Sequence, residues 1–291
     1  ARTASTSTSG IMLYADHFTF DLGKIGNVSG KAAIHGHEVR YFTVKNSEFF
    51  NCVNFCVSIN SDEANGGWEN IPDQVLNKIQ GHNEIENNYF HDFTLPTSFT
   101  GAVGICGDVG TVVAHNYFKN GAREAVGYSK SIGLRIEYNV FDTLTTQTED
   151  CGSLSTGMSI EYTDNIIRHN IFMNIRVYGI YLDANTSYQE VYGNIFYNSG
   201  VGIVQNGGHD NIINGNVFLN GNLAIGPASL TRMNGNAAFG AKIYEDMSTA
   251  VGENNVTYTV NENPLFVNPS IGDYRIRDGV DFYDIPYEKI G

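Results

Sequence analysis

The sequence predicts an all-β fold, a right-handed parallel β-helix, and a recurring phrase is the main reason. In this phrase an asparagine is followed by an aliphatic or aromatic residue and then by phenylalanine, most regularly between Glu149 and Asn220. Successive copies are 28, 23, 31, 24 and 22 residues apart, with asparagines at Asn88, Asn116, Asn139, Asn170, Asn194 and Asn216. A period in the low twenties with some longer members is typical of a solenoid.

The composition supports the same fold class and limits the kind of ligand. Charged residues make up only 16% of the 291 residues, whereas glycine, asparagine and aromatic residues are abundant, as in a protein of sheets and turns. There are 17 basic and 31 acidic residues, which gives a net charge of -14. This excess argues against binding to nucleic acid or to an anionic membrane surface. A neutral partner, such as an oligosaccharide or polysaccharide, fits better.

The sequence also indicates where the protein is located and in which state its cysteines are. No run of 18 apolar residues is present, so we expect no membrane span, and no signal-peptide pattern is present either. A chain that starts at Ala1 without a methionine suggests that a segment was removed, and we expect a secreted or periplasmic protein. Four cysteines, Cys52, Cys56, Cys106 and Cys151, fit no common zinc pattern. They are expected to be buried free thiols, and a single disulfide among them is the alternative.

The N-terminal third is predicted to contain the less regular part of the array. Residues 1–10 are rich in serine and threonine and are predicted to be a flexible segment. Residues 11–36 hold short apolar runs that begin the array, and residues 39–59 alternate as half-buried strands do. Residues 61–80 are predicted to leave the coil as a loop. The single tryptophan, Trp68, lies there, either as an apolar plug or as a platform on which a sugar stacks.

Regular coils are predicted from residue 83 to residue 235. Each coil has a strand, the asparagine phrase, a turn and a second strand of the glycine-isoleucine type, so stacked coils place equivalent residues about 4.8 Å apart. The asparagines should form a structural ladder at the turns. Residues 236–291 contain more proline and charge and are predicted to be an irregular cap of the same domain. An up-and-down β-barrel is the rival fold, but two-residue hairpin turns are absent.

Two aspartates on neighbouring repeats, Asp150 and Asp183, are the predicted catalytic pair. If Ile180 and Leu182 point inward, then Tyr181 and Asp183 point outward. Asp150 begins the strand one coil earlier, so the two carboxyls are expected roughly 5–10 Å apart. That range covers both the retaining and the inverting geometry of glycosidases. In such a pair one carboxyl donates a proton while the other stays ionised.

Three segments near these aspartates carry a family resemblance: GIYLD at 179–183, VYGNIFYNSGVGI at 191–203 and NGGHDNIINGNVF at 206–218. They resemble bacterial right-handed parallel β-helix proteins, a group that includes glycoside hydrolases of the α-L-fucosidase/xylanase and β-xylosidase type. The group's aspartate and glycine one coil earlier are matched by Asp150 and Gly152. The resemblance covers roughly residues 85–291 and implies a catalytic carboxylate at Asp183 with Asp150 as its partner.

The sequence departs from this pattern at three positions. Ala184 stands where the group has a second aspartate, His209 where arginine is usual, and Asn206 where histidine is usual. We expect substrate contacts from Tyr181, Asn206 and His209, the last through a sugar hydroxyl or the Asp183 carboxylate. Glu124, Arg123 and Tyr128 on an earlier coil, together with Trp68, are the further candidates, and Glu161 is a reserve acid.

The leading function is therefore hydrolysis of glycosidic bonds by two carboxylates in a groove of the β-helix. A polysaccharide lyase is the first alternative, for which Lys130 or Arg135 would be the base, although the acidic net charge would repel a polyuronate. A non-catalytic carbohydrate-binding or structural β-helix is the second alternative. No cofactor is expected to be required. Stacked aspartate and asparagine side chains are compatible with Ca²⁺, but no calcium-loop signature is present.

Overall fold

Ten stacked coils, each of three short parallel strands, form the body of the protein. The computed structural model describes residues 9–60, 78–94, 100–157, 161–221, 223–226, 231–243, 251–258, 266–268 and 273–278. Within these ranges, thirty strands belong to three ten-stranded parallel sheets, and two more strands form a separate antiparallel pair. The predicted fold class, a parallel β-helix, is confirmed.

The first five coils lie between residues 11 and 142 of the described chain. Their strands, in chain order, are β1 Ile11–Leu13, β2 Thr19–Asp21, β3 Lys24–Val28, β4 Ala32–Gly36, β5 Thr43–Lys45, β6 Glu48–Cys52, β7 Phe55–Ile59, β8 Glu84–Glu86, β9 Tyr89–Phe93, β10 Val103–Cys106, β11 Val112–Ala114, β12 Tyr117–Gly121, β13 Val126–Ser129, β14 Arg135–Glu137 and β15 Val140–Asp142.

The next five coils contain the predicted catalytic region and continue towards the C-terminus. Their strands are β16 Gly152–Thr156, β17 Asn165–Arg168, β18 Ile171–Met173, β19 Tyr178–Leu182, β20 Gln189–Tyr192, β21 Ile195–Tyr197, β22 Val201–Gln205, β23 Ile212–Asn214, β24 Val217–Leu219, β25 Leu223–Gly226, β26 Arg232–Asn234, β27 Ala237–Phe239, β28 Lys242–Ile243, β29 Val251–Glu253 and β30 Val256–Tyr258. Two further strands, β31 Phe266–Asn268 and β32 Asp273–Ile276, form the antiparallel pair.

The three sheets follow from the order of strands within a coil. The first strand of every coil joins sheet A, the second joins sheet B and the third joins sheet C. Strands that are neighbours in a sheet are therefore three apart in the chain, and all of them run parallel. Equivalent residues pair directly, as Phe90, Phe118 and Phe141 do on successive strands of sheet C.

A column of phenylalanines runs through the centre of the coils. Seven rings are each stacked on the next with centroids 4.5–5.1 Å apart: Phe49, Phe90, Phe118, Phe141, Phe172, Phe196 and Phe218. All seven are almost completely buried. The phenylalanine of the repeated phrase is therefore the core residue of each coil, and offset stacking adds to the gain from burying its ring.

The asparagine of the repeated phrase forms a buried ladder at the corner between sheets B and C. Asn170 shows the pattern, because its backbone N–H and its Nδ2 both donate to Oδ1 of Asn194, each at 3.0 Å. The same pair of bonds links Asn139 to Asn170 and Asn194 to Asn216. Each Nδ2 also donates to a backbone carbonyl, which for Asn170 is that of Ile136. The predicted structural ladder is confirmed.

Left-handed backbone at the corners explains why further asparagines lie on the outside. Asn46, Asn87, Asn174 and Asn198 all have φ between 50° and 56°. Asparagine adopts this conformation more readily than other residues with a side chain, because its short amide can bond locally. Several of these amides also bond from coil to coil, as Nδ2 of Asn198 does to Oδ1 of Asn174 at 3.0 Å.

The array is longer than the sequence predicted. Strands β27, β29 and β30 pair in register with the coil before them and β28 pairs with one register shift, so the β-helix continues to Tyr258 rather than ending at residue 235. The predicted boundary is wrong because small residues such as Ala237 and Ala238 fill core positions that larger side chains occupy in earlier coils. Residues 1–8 of the predicted flexible segment 1–10 lie outside the described residues, as do Trp68 and most of the predicted cap after residue 258.

Two further expectations concern thiols and the membrane. Cys52, Cys56, Cys106 and Cys151 are all buried and unlinked, which confirms the prediction of buried thiols. Among the described residues no helix is long and apolar enough to span a membrane.

Removing one rung of the ladder should destabilise the protein strongly. Asn170→Ala leaves the buried Asn139 N–H without its acceptor, takes one of three acceptors from Asn139 Nδ2 and removes the amide that donates to the Ile136 carbonyl. We expect the free energy of unfolding to fall by about 3 kcal/mol or more, since each such group costs roughly 1–3 kcal/mol. Urea unfolding followed by circular dichroism measures this. Asn198→Gly, at an exposed left-handed corner, is the control and should cost under about 1 kcal/mol. Equal losses in both variants would contradict the assigned role of the ladder.

Candidate functional site

A cleft of about 350 Å³ opens on the outer face of sheet A. It extends over β7, β10, β13, β16 and β19 and therefore crosses five coils. Its lining contains three acidic residues and one basic residue, with both predicted catalytic aspartates among them: Phe55, Gly104, Ile105, Arg123, Glu124, Gly127, Tyr128, Ser129, Asp150, Cys151, Ser155, Thr156, Gly157, Tyr181, Asp183 and Ala184.

Two glycines on neighbouring strands make the floor of the cleft. Gly104 and Gly127 pair with each other between β10 and β13, at positions where a side chain would project outward. A Cβ atom on Gly104 would lie 2.3 Å from the Phe55 ring, and one on Gly127 would lie 2.9 Å from Oε1 of Glu124. The missing side chains therefore leave the space that Phe55 and Glu124 fill.

Glu124 is the most buried of the three acidic residues that line the cleft. Its residue surface is only 8% exposed, and its carboxylate lies over Gly127. Burial raises the pKa of Glu124 to about 7, although the nearby Arg123 charge and a hydrogen bond with Ser155 act in the opposite direction. A carboxyl group with this pKa is protonated in a large share of molecules near neutral pH. It can therefore donate a proton, as a general acid must.

Arg123 is the one basic residue among those that line the cleft in the described chain. Its Nε lies 3.5 Å from Oε2 of Glu124, and its guanidinium donates to the backbone carbonyl of Asp150 at 3.4 Å. Arg123 thereby links the acid to the turn that carries Asp150. Cys151 follows in that turn, and burial together with Glu124 raises the pKa of its thiol to about 12. The thiol is therefore not a thiolate nucleophile.

Tyr181 and Asp183 form the opposite wall. Asn206 donates from Nδ2 to Oδ1 of Asp183 at 2.8 Å, from the next coil. Burial and a hydrogen bond with Asp183 raise the pKa of the Tyr181 hydroxyl, with a smaller contribution from the charge of Asp150. The Tyr181 hydroxyl thus stays neutral and is hydrogen-bonded to Asp183. Asp183 remains half-buried, facing the cleft.

The register corrects the expected relation between Asp150 and Asp183. Thr156 pairs with Leu182, so the residue opposite Asp183 on the preceding coil is Gly157, and Asp150 lies seven positions before Gly157. The two aspartates are therefore not equivalent neighbours, although they line one cleft. Their assignment as the catalytic pair stays a prediction.

Glu124 and Asp183 line the same cleft and come from coils two apart. The Glu124 carboxylate lies at the level of Gly127, which pairs with Ser155, and Ser155 pairs with Tyr181 two residues before Asp183. Two strand spacings across and two residues along the strand separate the groups, a distance on the order of 10 Å.

Several residues predicted to bind substrate lie elsewhere. His209 is not among the residues that line the cleft, because its ring pairs with the carboxylate of Asp210 at 2.8 Å and packs edge-on against Tyr188. The expected bond from His209 to Asp183 is therefore wrong. Glu161, the reserve acid, is exposed and does not line the cleft either. Trp68 lies outside the described residues, so its proposed stacking role stays a prediction.

The two basic residues considered for a lyase, Lys130 and Arg135, also lie outside the cleft. Arg135 lies on sheet B, so it faces a different side of the β-helix, and Lys130 is buried and does not line the cleft. Tyr128 contributes to the cleft only marginally, because its ring belongs to the core and its hydroxyl donates to Oε1 of Gln189 at 2.7 Å. In the described part of the chain no group of three or more histidine, cysteine or acidic side chains could hold a metal ion.

Comparison with known families agrees with this architecture. The family model for the right-handed beta helix region matches residues 32–218, which is well over half of the chain. The chain belongs to the right-handed beta helix family. None of the curated proteins compared with the sequence matches it.

Solved structures of the same fold include enzymes that act on polysaccharides. The PL6 family polysaccharide lyase Pedsa3628 from Pseudopedobacter saltans matches with a TM-score of 0.58 and 11% identity, over 99% of this chain and 79% of that one. The PL6 family alginate lyase AlyGC matches with a TM-score of 0.43 and 12% identity, over 86% and 48% of the two chains. XylC in complex with xylose has a TM-score of 0.40 and 11% identity, over 81% and 53%. This β-helix thus spans about half the length of the latter two, and the likeness is one of fold.

The burial of the Glu124 carboxyl is the feature that sequence reasoning missed. Glu124 was expected to form a subsite, since nothing in the local sequence indicates burial of its carboxylate. The available signal was the pair Gly104 and Gly127 at matching positions of two coils, which leaves an unfilled outward position beside Glu124.

The raised pKa of Glu124 should make stability depend on pH. Below about pH 4.5, the ordinary value for Glu, the group is protonated whether folded or unfolded. Between about 4.5 and about 7 only the unfolded chain releases the proton, so the free energy of unfolding falls as pH rises. The loss should approach about 3 kcal/mol. Urea unfolding of the wild type and of Glu124→Gln at several pH values measures it, and parallel curves for the two proteins would contradict the assigned pKa.

Proposed function

We propose that this β-helix protein is a glycoside hydrolase that cleaves neutral oligosaccharides or polysaccharides in the cleft of sheet A. The observation that carries the proposal is Glu124, a buried carboxyl with a pKa of about 7 that faces the same cleft as Asp183. Glycoside hydrolysis needs one carboxyl that gives up a proton and another that stays ionised. Glu124 fits the first role and Asp183 the second.

In the proposed reaction Glu124 protonates the glycosidic oxygen as the bond to the anomeric carbon breaks. A water molecule attacks that carbon from the opposite side, and its proton passes to the carboxylate of Asp183. Both products then carry hydroxyl groups, Asp183 releases to solvent the proton that it took from water, and Glu124 regains a proton from solvent. The separation, on the order of 10 Å, is nearer the about 6.5–9.5 Å of inverting enzymes than the about 5–5.5 Å of retaining ones, so inversion is the proposed outcome.

Neighbouring residues support these two roles. Asn206 donates to Asp183 and acts as a positioning residue that fixes the carboxylate. Arg123 lies 3.5 Å from Glu124 and limits the rise in its pKa, so the carboxyl can still release its proton. Tyr181 presents a neutral hydroxyl on the same wall as Asp183 and is suited to bond a sugar hydroxyl.

Neutral substrates are favoured by the charge of the cleft. Glu124, Asp150 and Asp183 face a single cation, Arg123, so the cleft is negative even when Glu124 is protonated. A uronate chain would be repelled there. The resemblance to glycoside hydrolases of the α-L-fucosidase/xylanase and β-xylosidase type supports the same class. It also supports a plant-type or bacterial polysaccharide as substrate and a secreted or periplasmic location.

A polysaccharide lyase is the second candidate, and Arg123 is the observation that favours it. Its guanidinium could neutralise a uronate carboxylate, and Tyr181 could take part in proton transfer. The PL6 polysaccharide lyase from Pseudopedobacter saltans has the same fold, which makes this reading reasonable. Lyase products contain an unsaturated sugar that absorbs ultraviolet light, whereas hydrolysis yields only new reducing ends. A non-catalytic carbohydrate-binding protein would release neither product.

Replacing the proposed acid should remove hydrolysis without removing binding. We expect Glu124→Gln to lower kcat on xylan-type or fucosylated oligosaccharides by roughly 10²–10⁴-fold, because the amide cannot donate the proton. Asp183→Asn should cause a comparable loss. Reducing-end release over a panel of neutral glycans measures both. Glu190→Gln, at an exposed position on sheet B, is the matched control and should behave as the wild type. Wild-type activity in Glu124→Gln would refute the assignment.

The pH profile gives an independent test of the same residue. The rate should fall on the alkaline side with an apparent pKa of about 7, because Glu124 must be protonated to act as an acid. Reducing-end release measured from pH 4 to pH 9 in wild type and in Asp150→Asn gives this profile; a rate that holds steady through pH 8 would exclude Glu124 as the acid. Adding a chelator to the same assay tests the expectation that no Ca²⁺ is needed.

A further inference from the structure

The turn between β15 and β16, residues 143–151, brings Asp150 to the rim of the cleft on sheet A. This turn is longer than the equivalent turn one coil later, residues 174–177. Asp150 is exposed and lines the cleft together with Glu124 and Asp183. Because the proposed reaction gives Asp150 no role, the presence of a third carboxylate in the cleft needs its own explanation.

The carboxylate of Asp150 differs from the other two cleft carboxylates in its partners. Glu124 lies 3.5 Å from the Arg123 guanidinium. Asp183 accepts a hydrogen bond from Asn206 at 2.8 Å. Among the described residues the Asp150 side chain forms no hydrogen bond or ion pair, although its backbone carbonyl is bonded. Both oxygens of this carboxylate are therefore available as acceptors to a ligand in the cleft.

The coil before the turn holds its backbone at two points. The N–H of Gln147 donates to the carbonyl of Ala122 at 3.0 Å. The Arg123 guanidinium donates to the carbonyl of Asp150 at 3.4 Å. The coil that carries Glu124 therefore also sets the position of the Asp150 backbone.

The coil after the turn holds it through Arg176. Nη1 of Arg176 donates to the carbonyl of Thr148 at 2.9 Å, and Nη2 lies 2.8 Å from Oε1 of Glu149. The backbone N–H of Arg176 donates to the carbonyl of Leu144 at 3.2 Å. Arg176 is not among the described residues that line the cleft, so these contacts serve the turn. An arginine on each side thus holds the residues around Asp150.

Asp150 also lies near the tyrosine that is suited to bond a sugar hydroxyl. After burial and the bond to Asp183, the charge of Asp150 is a further cause of the raised pKa of the Tyr181 hydroxyl. The two groups are therefore close enough to contact one bound sugar. Sugar hydroxyls donate hydrogen bonds, and bonds to a charged acceptor are stronger than bonds between neutral groups.

We propose that Asp150 is a substrate-recognition residue whose two carboxylate oxygens accept hydrogen bonds from adjacent ring hydroxyls of the neutral glycan in the cleft. Arg176 is the positioning residue that holds the turn. This inference rests on the proposed function, because the ligand is the glycan of the same cleft. It assigns Asp150 to binding, and it makes free adjacent hydroxyls a requirement for the sugar that lies beside Asp150.

Two substitutions at position 150 and one at position 176 test these roles. Asp150→Ala removes both acceptor oxygens, whereas Asp150→Asn keeps one. Glu190→Gln, which removes a negative charge from sheet B, is the control for overall charge. Arg176→Gln removes the contacts to the turn. Its matched control is Arg168→Gln, which breaks an ion pair with Glu137, at 2.6 Å, on sheet B.

Binding of xylohexaose and cellohexaose is measured by calorimetry in the Glu124→Gln background, so that no hydrolysis interferes. We expect at least one hexasaccharide to bind, Asp150→Ala to weaken that binding roughly tenfold and Asp150→Asn to weaken it less. Arg176→Gln should weaken it roughly threefold, but not when Asp150→Ala is already present. Both control variants should have no effect.

Three results would overturn the recognition role: unchanged binding in Asp150→Ala, equal losses in Asp150→Ala and Glu190→Gln, or no binding of either hexasaccharide. A loss in Arg176→Gln that persists in the Asp150→Ala background would overturn the positioning role.

Kinetics with Glu124 intact separate recognition from catalysis. On a glycan that the wild type cleaves, Asp150→Ala should raise KM roughly tenfold and change kcat by less than about threefold. A loss confined to kcat would place Asp150 in the reaction and overturn the inference. Binding that depends on Asp150, in a protein that hydrolyses no neutral glycan, would refute the proposed function and support the recognition role.

Discussion

The register between successive coils is the constraint on which the rest of the structure depends. It is fixed at the corner of sheets B and C, where each buried asparagine receives two hydrogen bonds from the asparagine one coil earlier. The phenylalanine two residues later stacks on its equivalent in the next coil, so the same phrase sets both the turn and the core. A shift by one residue would turn that ring outward and break the ladder at once. The hydrogen bonds of the buried asparagines and the packing of the phenylalanines therefore require the same register between coils.

The candidate site depends on that alignment because its residues come from different coils. Glu124 can lie over the floor only because Gly127 and Gly104 meet at matching outward positions. Its burial raises the pKa, while Arg123 and Ser155 keep the carboxyl able to release a proton. Asp183 is held from the following coil by Asn206. The stacked coils thus hold the proposed acid and the proposed base in one cleft.

The sequence predicted most of the fold because the repeated phrase encodes both the ladder and the core. It predicted the surroundings of Asp183 as well, since strict alternation along β19 places Tyr181 and Asp183 on the outer face. The position of Asp150 was not predictable in the same way. Residues 143–151 separate β15 from β16, whereas only residues 174–177 separate β18 from β19, and this extra length moves Asp150 into the turn before the strand. The burial of Glu124 depends on the lack of side chains at Gly104 and Gly127, which lie on neighbouring coils. No pattern in the residues next to Glu124 indicates this burial.

The most direct test of this account is a crystal structure of the Glu124→Gln variant with a bound neutral oligosaccharide, chosen from the glycans that the wild type cleaves or, failing that, binds. The account predicts a glycosidic oxygen within hydrogen-bonding distance of the side chain at position 124, about 3 Å. It also predicts the Asp183 carboxylate on the opposite face of the same sugar ring, with space for one water between them. A sugar bound with its glycosidic bonds away from position 124, or with Asp183 on the same face as that side chain, would contradict the proposed roles.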